Sequence, residues 1–269
     1  MTWATVNGIR LHYETHGAGD PVLMVMGSGS RGRVWDLHQV PALTAAGYRV
    51  VTFDNRGIAP TDECAEGFTV EDMVADTAAL IETLGLGPCF LVGTSMGAQI
   101  VQELALVRPD LVRKAVLMAT RGRADTLRRA LAEAEIELYE SGVRLPPRYY
   151  AVIRATQNLS PRTLADPQQV SDWLDLFEMS APTSRGDRIH MGFSAMPDRL
   201  AAYRAISRPC RVIAFADDMI TPPHLGREVA ETIPGATFEL VQGCGHYGYL
   251  ENPDTVNKDI IEYFRRPGD

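Results

Sequence analysis

The segment CFLVGTSMGAQIVQELALVR, Cys89 to Arg108, constrains this chain more than any other. Cys89 to Thr94 is a short apolar and β-branched run bounded by Pro88, the pattern of a strand buried on both faces. From Met96 onward Ile100, Val101, Leu104, Ala105 and Val107 recur at helical spacing, with no breaker before Pro109. Ser95 therefore sits on the corner between strand and helix, flanked by Gly93 and Gly97 as Gly-x-Ser-x-Gly. A strand that turns directly into a helix holds its corner residue in a strained backbone conformation. The residues two positions away must then be small for the two elements to pass. Such a corner lifts the serine hydroxyl clear of the sheet. It also puts the Met96 amide on the first helical turn, where an unpaired N–H and the helix dipole favour a developing oxyanion.

Two sets of elements surround this corner. Asn7-Gly8 between Trp3–Val6 and Arg10–Thr15 predicts a β-hairpin at the start. Buried strands follow at Val22–Met26, Tyr48–Phe53, Cys89–Thr94 and Val112–Met118, with helices expected over Trp35–Ala46, Val70–Leu84 and Met96–Arg108. Strand and helix alternate, so the sheet is expected to be mostly parallel. From Arg121 to Ser207 the alternation stops, and helices are expected at Ala124–Ser141, Arg148–Thr156, Pro167–Met179 and Pro197–Ile206. It resumes with strands at Arg211–Ala216 and Thr237–Val241 and helices at His224–Ile233 and Val256–Arg265. The division is a core of residues 1–120 and 208–269 with an all-helical insertion over 121–207. Most large residues of the insertion are expected to form its own core, while Tyr149, Trp173, Phe177 and Phe193 are candidates to face a substrate.

Composition excludes several classes. With 269 residues, 45% apolar and 22% charged, the chain can bury a substantial core. A formal net charge of -8 with scattered Lys and Arg argues against nucleic acid or an anionic membrane as partner. No stretch approaches the run of about 18–20 apolar residues needed to span a bilayer. MTWATVNGIR lacks the basic and apolar regions of a secretion leader, so a cytoplasmic location is expected. Cys64, Cys89, Cys210 and Cys244 form no C-x-x-C pair and no grouping with histidine, so reduced structural thiols and no metal are expected.

The first strand of the alternation ends in a second glycine pattern. Gly27, Gly29 and Gly32 spell Gly-x-Gly-x-x-Gly, and Asp54 follows the next strand where a ribose-binding acid would stand in a dinucleotide fold. Pro41 interrupts the helix such a site requires, and a hairpin precedes what should be the first strand. A loop whose backbone approaches Ser95 is the preferred use of these glycines, with no cofactor. Asp54 and Arg56 are expected to pair or cap locally.

A serine hydroxyl needs a base, and the base an orienting acid. Asp217-Asp218 follows the strand Arg211–Ala216, and His246 follows the last strand in Gly243-Cys244-Gly245-His246. Both positions lie at strand ends on the edge where open α/β sheets hold ligands. With Met26-Gly27-Ser28-Gly29, Asp54-Asn55-Arg56-Gly57, Gly93-Thr94-Ser95-Met96-Gly97, Asp218 with Pro222, and Gly245-His246 followed by Glu251-Asn252-Pro253, the chain resembles the α/β-hydrolase family over essentially its whole length. The resemblance implies an α/β-hydrolase fold, an eight-stranded and mostly parallel sheet flanked by helices, with the insertion as a cap. It implies Ser95 as nucleophile, His246 as base, Asp218 as its acid, and the amides of Ser28 and Met96 as oxyanion donors. Asp217 competes for the acid's place, and Asp125 stands where some members carry it. Met26-Gly27 replaces the usual His-Gly, and Ala59-Pro60-Thr61 the usual Gly-x-Ser; neither removes a member of the set.

The expected activity is cofactor-independent hydrolysis of an ester, lactone or thioester with an apolar or aromatic portion. The alternatives are carbon–carbon bond hydrolysis or haloperoxidase-like perhydrolysis on the same residues, and a non-catalytic binding protein of the same fold. His190, inside the insertion, is either packed or pocket-lining; His12, His16, His38 and His224 are expected to be structural or on the surface.

Overall fold

Asn7 and Gly8 take φ of 44° and 80°, the left-handed pair a tight hairpin requires, and join β1 (Thr2–Val6) to β2 (Ile9–His16) in antiparallel register, Val6 opposite Ile9. The computed structural model describes residues 2–64, 66–179 and 184–267. The hairpin forms one edge of an eight-stranded sheet with the order β1-β2-β4-β3-β5-β6-β7-β8. Its other members are β3 (Asp20–Val25), β4 (Tyr48–Phe53), β5 (Cys89–Thr94), β6 (Val112–Met118), β7 (Cys210–Phe215) and β8 (Thr237–Val241). β2 also runs antiparallel to β4, and every pairing from β4 to β8 is parallel.

Successive residues of the central strands enter different cores, as the two-residue period of a strand demands. Leu23, Val25, Val51, Leu91 and Leu117 belong to one, and Val22, Met24, Val50, Val92 and Met118 to the other. The first core is closed by α2 (Val70–Thr83) and α3 (Met96–Val107), through Met73, Leu80, Ile81, Ile100, Val101 and Leu104. The second is closed by α1 (Gln39–Ala45) through Val40 and Leu43, and by the C-terminal helix through Val256, Ile260 and Phe264. Both faces being covered is why the strands read as near-continuous apolar runs.

Between β6 and β7 lie α4 (Thr126–Glu140), α5 (Pro147–Asn158), α6 (Pro161–Leu164), α7 (Pro167–Met179), α8 (Arg185–Gly192) and α9 (Leu200–Tyr203), with no strand among the described residues of this segment. The core resumes with α10 (Pro223–Thr232), α11 (Gly248–Glu251) and α12 (Pro253–Arg265). Ala151, Ala155, Leu159 and Phe177 form a small core of the insertion, against which Trp173 packs. Tyr247, from the loop after β8, packs into it as well and ties the insertion to the sheet.

Three local expectations need correction. The helix expected over 35–46 is split into a 3-10 turn, Gly32–Leu37, and α1, because Pro41 lacks an N–H and is accommodated only in a first helical turn. The helix expected over 197–206 contracts to α9; the Asp198 carboxylate, two residues ahead of Leu200, accepts the Leu200 amide at 2.9 Å, so the chain before it turns rather than continuing the helix. α8 was not anticipated, although Ser184 and Asp187 form a capping box at its start.

Candidate active site

Ser95 has φ 55° and ψ -120°, a conformation costly for a residue with a side chain. Its amide donates to the Met118 carbonyl at 3.0 Å, so β6 holds the corner from the side. The flanking glycines are needed for close approach: a Cβ on Gly93 would lie 2.4 Å from the Gly97 oxygen, and one on Gly97 2.1 Å from the Val25 oxygen. The helix therefore crosses the ends of β5 and β3 backbone to backbone. Gly27 continues this packing, since its Cβ would meet that of Ser95 at 3.3 Å.

Asp218 and His246 meet at the same edge of the sheet. The His246 Nδ1 and Asp218 Oδ2 lie 2.8 Å apart, and the pair is buried, 7% and 3% exposed. The carboxylate also accepts the amides of Ile220 and Thr221, both at 2.8 Å, and the Thr221 hydroxyl at 2.7 Å. With every oxygen engaged, Asp218 fixes the imidazole ring and leaves Nε2 as the nitrogen available for proton transfer. Asp217 has another task, its amide donating to the Cys244 carbonyl. Asp125 caps α4 by accepting the Arg128 amide at 2.7 Å.

Glu251 of Glu251-Asn252-Pro253 supports the histidine loop, a role that no local sequence pattern marks. One carboxylate oxygen accepts the Gly245 amide at 2.6 Å. The other accepts the Ser160 amide and hydroxyl, at 2.9 and 2.7 Å, and the Thr163 hydroxyl. The residue before His246 is thereby tied to the start of α6.

The loop after β3 is held from three sides. The Asn55 amide group donates to the Met26 carbonyl at 2.9 Å, and Asp54 accepts the Gly32 amide at 2.8 Å while its other oxygen lies 2.8 Å from His12 Nδ1. The Ser28 hydroxyl points at the Met96 sulfur at 3.4 Å, which brings the two expected oxyanion donors together. The third side is His190 of α8, fully buried, with Nε2 2.8 Å from the Arg56 carbonyl and Nδ1 accepting the Gly29 amide at 3.3 Å. A carbonyl only accepts, so Nε2 carries the proton and Nδ1 is the acceptor. Burial pushes His190 down to about 4, and the ring is neutral at physiological pH. Arg56 itself makes a buried bidentate pair with Asp76.

Ser28, Ser95, Met96 and His246 line one cavity of about 120 Å³. The insertion contributes Arg128, Glu135, Arg154, Met191 and Phe193, and Arg121 stands where it begins. Of the four expected substrate-facing aromatics, only Phe193 lines the cavity. Trp173 and Phe177 pack instead against Tyr247, ring centroids 5.6 and 5.9 Å away, and Tyr249 joins Tyr247 on the wall. Tyr149 is 53% exposed. The arginines were not anticipated, because a side chain's burial depends on tertiary packing that helical period alone does not reveal. Among the described residues, Glu14, His16 and Asp36 are the group with ligand atoms close enough to hold a cation, within 4.8 Å of one another, and they share no residue with the cavity wall. No described helix is long and apolar enough to cross a membrane.

Comparison with known proteins agrees with this architecture. Over 257 residues the chain is 51% identical to a curated Mycobacterium tuberculosis protein, "Putative non-heme bromoperoxidase BpoC", covering 95% of this chain and 98% of that one. The crystal structure of that protein superposes with a TM-score of 0.91 over 94% of this chain and 95% of the other. A thermophilic esterase from Thermogutta terrifontis, 28% identical, superposes with a TM-score of 0.83 over 98% of each chain. The model of the alpha/beta hydrolase family matches residues 15–259, and the chain belongs to that family.

Proposed function

We propose that this protein is a serine hydrolase acting on a carboxylic ester, lactone or thioester. The observation that carries the reading is one cavity wall holding Ser95 on its strained corner together with His246, whose Nδ1 is engaged by Asp218 at 2.8 Å. In this mechanism Ser95 attacks the substrate carbonyl as His246 takes its proton on Nε2, and Asp218 stabilises the imidazolium. The amides of Ser28 and Met96 stabilise the tetrahedral oxyanion. His246 then protonates the leaving group, and water activated by the same ring hydrolyses the acyl-enzyme and releases the acid. Residues 121–207 act as the cap that closes over the substrate, with Phe193 and Met191 offering apolar contact.

A second reading is perhydrolysis, favoured by the 51% identity to a protein named as a bromoperoxidase. Hydrogen peroxide would replace water in attacking the acyl-enzyme, releasing a peracid that oxidises bromide. Labelling by a fluorophosphonate probe, lost in Ser95→Ala, tests the common nucleophile. An unlabelled wild-type protein would reject both readings. Bromination of a dione that depends on both ester and peroxide would separate the second from the first.

A further inference from the structure

We propose that the substrate carries a carboxylate, bound within the cavity by Arg121 and Arg128; this deepens the hydrolase reading and rests on it. The chain as a whole is acidic, at -8, yet the wall around Ser95 holds three guanidinium groups, Arg121, Arg128 and Arg154, against one carboxylate, Glu135. Such a reversal of sign at a cavity is a feature of sites that draw in anions.

The hydrogen bonding of these arginines is incomplete. Arg121 donates from Nη2 to the Ser194 carbonyl at 2.9 Å, while its Nη1 is buried with no partner. Arg128 donates to the Ser194 hydroxyl at 2.7 Å, and its Nε and Nη1 are buried without partners. The nearest carboxylate oxygen of Glu135 stands 3.6 Å from Arg128 Nη2, an ion pair too long for a hydrogen bond. Among the described residues no carboxylate lies within ion-pair distance of Arg121. Arg154 is anchored by both terminal nitrogens, on the hydroxyls of Tyr150 and Tyr247, and only its Nε is buried without a partner.

A buried guanidinium with orphan donors is costly to keep for structure alone. Desolvation, with repulsion from Arg128, depresses Arg121 to about 10, and desolvation likewise lowers Arg128. A ligand carboxylate would relieve both the repulsion and the missing hydrogen bonds, and the planar fork of arginine suits it. Two arginines sharing Ser194 at the insertion's edge of the cavity would hold the anion while the scissile carbonyl lies at Ser95. The substrate class is therefore a half-ester, thioester or lactone with a free carboxylate on the portion that enters the cap.

The test compares mono-4-nitrophenyl glutarate with 4-nitrophenyl pentanoate. Wild-type kcat/KM should favour the charged ester by roughly 10-fold or more, the value of one hydrogen-bonded charge pair, and the preference should shrink with added salt. In Arg121→Met the ratio between the two esters should fall by a similar factor, with part of it restored in Arg121→Lys. Equal use of both esters by the wild type, or a ratio unmoved by Arg121→Met, would overturn the proposal while leaving the Ser95 chemistry intact. If neither ester turns over, thermal unfolding with glutarate against 1,5-pentanediol decides it. A salt-sensitive rise in Tm with glutarate, absent in Arg121→Met, supports the site, and no rise rejects it. Fluorophosphonate labelling of the same preparations reports separately on Ser95.

Discussion

The Nδ1 of His190 accepts the Gly29 amide at 3.3 Å, a contact that only a neutral imidazole can make. It links α8 of the insertion to the loop that presents Ser28, so the protonation of one buried ring bears on both.

Acid should therefore loosen this link. His190 is held down to about 4 by burial, below the ordinary value of about 6.5 for an unfolded histidine. Between those values the unfolded chain binds the extra proton and the folded chain does not. Stability is thus fully present above pH 6.5 and falls as pH drops toward 4, by at most roughly 3 kcal/mol. Urea unfolding of wild type and His190→Gln at pH 7.5 and 4.5 checks this. The wild type's advantage should be larger at the higher pH.

Relief of backbone strain should oppose activity at the corner. Ser95→Gly removes the penalty of φ 55° and should raise stability by about 1 kcal/mol. Turnover should fall by roughly 10⁶-fold in the same protein. Thermal unfolding and steady-state kinetics on one preparation would show the two moving in opposite directions.

The adjacent aspartates should separate cleanly. Asp218→Asn should lower kcat by about 10⁴-fold, since the amide favours the wrong imidazole tautomer. Asp217→Asn, which keeps the backbone bond to Cys244, should cost less than about 10-fold. The reverse ranking, measured by turnover of any accepted ester, would reassign the acid.

Gly97→Ala should be among the most damaging single methyl additions in the chain. The added carbon would lie 2.1 Å from the Val25 oxygen, and neither backbone has a side chain that can move aside. A loss of about 3 kcal/mol or more is expected, read as a lowered urea midpoint.

The corner around Ser95 was legible because everything it needs is local. Two glycines, a β-branched run and a helical period lie within 20 residues of sequence, Cys89 to Arg108. Asp218 and His246 could be set beside it because each follows a strand of one parallel sheet, and topology alone brings such ends to one edge. The insertion was far less legible. Tyr149 and Phe193 read alike, as insertion core or substrate-facing aromatics, yet one is solvated and the other lines the cavity, a difference set by how short helices pack. Nothing local in the sequence singles out Arg121 and Arg128 among the scattered basic residues; both donate to Ser194, more than 60 residues away in sequence, which leaves Arg128 buried and Arg121 half-buried. Sequence does not decide whether His190 is packed or pocket-lining; the structure packs it, with a backbone partner on each ring nitrogen.

Gly97 pressed against Val25 has a consequence for how such a molecule can diverge. The Ser95 corner is registered by main-chain atoms of β3, β5, β6 and α3, which side-chain replacement leaves in place, whereas Arg121, Arg128 and Phe193 on the cavity wall sit where the chain leaves the sheet or beyond it. The corner and the insertion's share of the cavity wall are thus held by separate parts of the chain. Drift in the insertion can reshape that wall while the backbone geometry at Ser95 is passed on unaltered.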